Sequence, residues 1–112
     1  MSLEKLLNIP KELKSNPNLS VYNLVKEYYF DDFSELLVYD YLIKNYSIHN
    51  NWLLFCEDKR VNESWTIEKN FFFYNVYYLN KRNSKLNLKY FLNKNKAVSY
   101  FIYSEIISIY KS

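Results

Sequence analysis

The sequence predicts an α+β domain with N-terminal helices, a four-stranded antiparallel meander and a C-terminal helix packed on the sheet. Three observations carry this. Up to Tyr46, apolar residues recur at helical spacing behind serines placed as caps. From Trp52 to Leu92 the chain shifts to short β-prone runs joined by Asn-rich links. From Lys96 to Tyr110 the helical period returns, with apolar residues around most of the circumference. At 112 residues, a single domain spanning 1–112 accounts for the chain.

Leu3–Leu13 has helical spacing interrupted by Pro10, which predicts a short helix, a kink and a turn at Asn16-Pro17. Ser20 caps a helix Val21–Phe30, on which Val21, Leu24, Val25, Tyr28 and Tyr29 share one face. Asp31-Asp32 breaks that helix and Ser34 caps the next, Glu35–Tyr46. Its apolar stripe reads Leu36, Val38, Tyr39, Leu42, Ile43 and Tyr46, with Leu37 and Tyr41 on the other side. A polar loop Ser47–Asn51 follows, and then four strands: Trp52–Glu57, Trp65–Glu68, Phe72–Leu79 and Leu86–Leu92. Alternation places Leu86, Leu88, Tyr90 and Leu92 on one face of the last strand. With Trp65 and Ile67, the first three of these form the surface onto which Val98, Phe101, Ile102, Ile106 and Ile109 of the final helix close.

Composition narrows the function. Glycine is absent. That excludes a P-loop, a GxGxxG dinucleotide turn and a GxSxG nucleophile elbow. Positive-φ positions should fall to asparagine, and Asn62, Asn70 and Asn83 read as turn residues. Cys56 is the one cysteine, read as a buried structural thiol; with no partner for a disulfide it fits a reducing compartment. The N-terminus lacks the features of a signal peptide and no stretch reaches the length of a membrane span. The expectation is a cytoplasmic protein without a membrane partner.

The net charge of +3 is unevenly spread. Residues 1–58 carry nine acids against five lysines, whereas 59–112 balance at +7. Such polarity steers charged partners.

From Trp65 onward, the chain resembles small immunity proteins of bacterial polymorphic-toxin systems. The resemblance rests on Trp65-Thr66-Ile67-Glu68, Val76-Tyr77-Tyr78, the basic turn Lys81-Arg82-Asn83, Phe91 and Ala97-Val98-Ser99-Tyr100-Phe101. Lys81 stands where that pattern has an acid, and Asn83 where it has glycine. The resemblance covers the C-terminal half only. It implies a protein that neutralises a cognate toxin by forming a complex with it.

Among the candidate sites, His49 is the one histidine, read as a surface residue without a catalytic or metal partner. Asp31, Asp32, Glu35 and Asp40 form the densest acidic group, either helix-capping and solvated or facing a partner. Leu37 and Tyr41 either pack on the N-terminal segment or form an exposed anchor beside Asp40. Lys81, Arg82, Lys85, Lys89, Lys94 and Lys96 surround Tyr90 and Phe91, a combination that holds single-stranded nucleic acid. A sheet edge guarded by lysines is the plainer account. Glu105 reads as a rim residue or as the partner of a lysine.

These observations favour an immunity-type inhibitor that binds a basic protein toxin such as a nuclease, without catalysis, metal or cofactor. Its contact residues are expected to be Tyr29, Asp31, Asp32, Glu35, Leu37, Asp40 and Tyr41. A phage- or virus-encoded inhibitor of host defence, of the anti-CRISPR kind, is the alternative. A small nucleic-acid-binding module using Lys81, Arg82, Lys85 and Lys89 comes third.

Overall fold

A computed structural model of the protein describes residues 2–59, 64–82 and 84–112. The chain folds as α1 (Ser2–Leu7), α2 (Ile9–Ser15), α3 (Val21–Tyr28), α4 (Glu35–Lys44), α5 (Ser47–Lys59), β1 (Ser64–Asn70), β2 (Phe73–Leu79), β3 (Lys85–Phe91) and α6 (Lys94–Lys111). Fold class, strand direction and the helix on the sheet agree with the sequence reading, but the described sheet has three strands, in the order β1-β2-β3.

The missing fourth strand is α5. Ile48 and Trp52 are buried and Phe55 is partly buried against the core, at spacings of four and three. That is one helical face, and it extends through the segment read as a polar loop. Trp52 Nε1 donates to the carbonyl of Leu7 at 2.9 Å, tying α5 to the end of α1.

The capping serines act as the sequence predicts. Ser20 Oγ accepts from Asn23 N at 3.4 Å, and Ser34 Oγ accepts from Leu37 N at 3.3 Å. Pro10 lies in the first turn of α2, where its missing N–H breaks no helical bond. The kink is therefore a break at Asn8 between two short helices. Helices α3 and α4 each end two residues earlier than expected, at Tyr28 and Lys44.

Helix α6 is the centre of the molecule. One side packs on all three strands and the other on α3 and α4. A helix clasped between two layers must be apolar nearly all round, which explains its pattern. Ala97, Val98, Phe101, Ile102, Ile106 and Ile109 are all buried.

Both hairpins are antiparallel, but the β2–β3 register shifts by one residue between Val76 and Tyr78. Asn87 takes positive φ (55°) at this β-bulge. The extra residue reverses the alternation beyond it. Phe91 and Lys89 therefore turn towards Tyr100 of α6, while Tyr90 meets Phe73 on the opposite face. Trp65 and Ile67 pack against the core as expected, but Leu86, Leu88 and Tyr90 are exposed, and Tyr90 lies on the face away from the helix. Trp65 Nε1 instead finds Ser108 Oγ at 2.9 Å.

The turns also depart from the asparagine rule. Asn70 ends β1, and the two-residue link is Phe71-Phe72, with Phe71 at positive φ (47°). Asn62 and Asn83 lie outside the described residues. In the β2–β3 turn, Asn80 Oδ1 accepts from Arg82 N at 3.0 Å and from Ser84 N at 2.8 Å. This is the side-chain mimicry that suits asparagine to turns.

Candidate protein-interaction surface

The α3–α4 corner is built around Phe33. Its buried ring stacks on Tyr103 of α6 at 5.4 Å and meets Tyr29 and Phe30 edge-on. With Phe33 anchored, the preceding Asp31-Asp32 turn is left in solvent. Tyr29 stacks on Tyr110 at 3.7 Å. Burial, with lesser effects from Tyr110, Tyr103 and Asp31, raises the Tyr29 hydroxyl pKa above its ordinary value.

Ser34 fixes where α4 starts, and packing on α6 fixes its rotation. Val38 and Leu42 are buried, and Leu37 and Tyr41 are half-buried against the core. Leu37 and Tyr41 are thus packing residues first, while Leu36, Ile43 and Tyr46 of the expected inner stripe are exposed. Leu36 is 66% exposed and Ile43 is 48% exposed. With Asp40 between them, they run at i, i+4 and i+7 along one outward stripe of α4, and the exposed Asp31-Asp32 turn precedes the helix. Glu35 is half-buried at the start of the helix, and Asp40 is exposed. The acidic group therefore stands beside exposed aliphatic side chains, but these are Leu36 and Ile43. The signal lay in the charges, since Leu36 shares a stripe with Asp40 and charged residues mark the solvent side.

The basic residues do not come together in this way. Lys81 and Arg82 are exposed in the β2–β3 turn. Lys85 lies on the outer sheet face, 4.0 Å from Glu68 and 4.9 Å above the Tyr77 ring. The bulge turns Lys89 to the inner face, over the Tyr100 ring at 4.5 Å. On the outer face, the Tyr77 hydroxyl donates to Glu68 Oε1. Burial first and that carboxylate second push its pKa up to about 12.

His49 is buried, not a surface residue, with 5% of its surface exposed, and sits edge-on to Tyr46. Desolvation, aided by the charge of Lys94, lowers its pKa. Glu105 is likewise buried within α6, not on a rim. The Cys56 side chain lies outside what the structure describes, although its backbone is helical where a strand was expected.

Among the described residues, no group of three or more His, Cys, Asp or Glu is placed to hold a metal ion. Nor is any helix long and apolar enough to cross a membrane. What the α4 stripe offers is carboxylate charge interleaved with apolar contact area. No family model, curated protein or solved structure matches this chain.

Proposed function

We propose that this chain is an immunity-type inhibitor, which neutralises a basic protein toxin by forming a one-to-one complex through the outward face of α4. The observation that carries the reading is the α4 stripe Leu36, Asp40 and Ile43, which exposes two large aliphatic side chains beside a carboxylate, with the exposed Asp31-Asp32 turn ahead of the helix. Fully solvated helix faces seldom spend leucine and isoleucine in this way, whereas interface centres join apolar anchors to a charged rim. The carboxylates would speed encounter with a basic surface, and the aliphatic contacts would slow dissociation. The resemblance of the C-terminal half to immunity proteins agrees with this division, since that half supplies the scaffold on which α4 is displayed.

Co-expression with the product of the adjacent gene tests the reading. The expected result is restored growth and a co-purifying one-to-one complex. Asp32→Lys with Asp40→Lys should abolish both while leaving the fold intact. Continued toxicity with no complex, or full protection by the double variant, counts against it.

A further inference from the structure

The end of the sheet opposite the β2–β3 turn carries apolar side chains that folding does not use. Phe71 and Phe72 form the whole β1–β2 link and are each 87% exposed, and Leu92, beyond the end of the neighbouring β3, is 82% exposed. Register puts them together, because Phe73 follows the turn and Tyr74 pairs with Phe91. Phe71 also occupies a left-handed backbone position, which strains a bulky side chain and where Gly or Asn is the ordinary occupant. Neither its strain nor its exposure serves the core.

Charge identifies what this end meets. The stretch from Lys69 to Lys96 has no acid; Lys81, Arg82 and Lys85 lie at the other end of the sheet, and Lys69, Lys94 and Lys96 at this one. Lys69, Lys94 and Lys96 flank the three apolar side chains and are exposed. Lys94 and Lys96 stand in the first turn of α6, where the helix dipole disfavours cations, so positive potential is concentrated there. The Asp31-Asp32 corner lies beside Tyr103 and Tyr110, towards the other end of an 18-residue helix about 27 Å long.

We propose that this end of the sheet seats the protein peripherally on an anionic membrane surface. Phe71, Phe72 and Leu92 enter the boundary between headgroups and acyl chains, and Lys69, Lys94 and Lys96 lie against the headgroups. A short apolar wedge holds a bilayer only marginally, but a wedge with a basic rim supplies the two signals that stable binding needs. Phe71 and Phe72 project from the link, which suits a deformable layer, while Leu92 borders a cleft that it lines with Phe73, Tyr90 and Phe91. The inference is independent of the α4 reading.

Vesicle flotation of the full chain tests it, with phosphatidylcholine vesicles with and without phosphatidylserine. The protein should float only with the phosphatidylserine vesicles and be released by added salt. Phe71→Ser with Phe72→Ser should abolish flotation at an unchanged melting temperature, while Lys94→Gln and Lys96→Gln should each weaken binding about fivefold. A Phe72→Trp variant should shift its emission to the blue on the anionic vesicles alone. Asp40→Lys should float normally, which separates this proposal from the toxin-binding one. Absence of flotation, or flotation unaffected by the double serine variant, overturns the proposal. So does a phenylalanine-dependent affinity for single-stranded oligonucleotide or for a second copy in place of vesicles.

Discussion

At the residue scale, the most informative side chains are buried polar ones that the sequence placed elsewhere. His49 was legible only as a lone histidine in a polar stretch, because nothing local revealed that Ile48, His49 and Trp52 share a buried helical face. Its lowered pKa has a measurable consequence. The unfolded chain binds a proton near pH 6.5 that the folded chain resists, so the stability His49 contributes is complete above that pH and is lost as pH falls below it. Urea midpoints should therefore decline between about pH 6.5 and 5, before most carboxylates titrate. His49→Gln should flatten that part of the profile, and an unchanged slope would show that His49 is solvated. Trp52 makes a second residue-level case. Trp52→Phe keeps most of the ring packing but leaves the Leu7 carbonyl without its indole donor. Denaturant unfolding should register a loss of about 1–3 kcal/mol.

At the scale of elements, the sequence was readable where a cap and a single apolar face agreed, and unreadable where they did not. Ser20 and the Val21, Leu24, Val25, Tyr28 and Tyr29 face gave α3 correctly. In α4 the start was plain but the rotation was not, since Leu36, Leu37, Val38, Tyr39, Tyr41, Leu42 and Ile43 offer apolar residues on every side. That ambiguity put Leu37 and Tyr41 among the contact residues and Leu36 and Ile43 in the core. In α5, five consecutive apolar residues from Trp52 to Cys56 carry no period, and length alone suggested a strand. The Asn87 bulge had no sequence signature beyond an asparagine among many, yet it decides which side of β3 faces α6. Helix α6 was the most legible element and its role is the easiest to test. Ile102→Ala, at a fully buried site between sheet and helices, should cost on the order of 2–5 kcal/mol, a large share of the total stability. Lys111→Ala should leave the thermal midpoint unchanged. A melt of Ile102→Ala within a degree or two of the parent would mean that α6 is peripheral.

At the scale of the whole molecule, the charge asymmetry falls on two sides of one scaffold. The carboxylates of the α3–α4 corner and α4 stand on helices that clamp one side of α6, and the basic residues lie on or near the sheet on its other side. In our proposal, the outward face of α4 holds a basic protein partner. Association kinetics with the product of the adjacent gene, the partner that we propose, measured over a range of salt, give the sharpest test. The account predicts a one-to-one complex whose association rate falls steeply with salt. Asp32→Lys with Asp40→Lys should slow association, and Leu36→Ala with Ile43→Ala should speed dissociation by about tenfold or more. All four substitutions lie at or near the surface of α4 and should leave the melting temperature nearly unchanged. Binding that proceeds at the parent rates in both double variants would contradict the account and place the partner on another face.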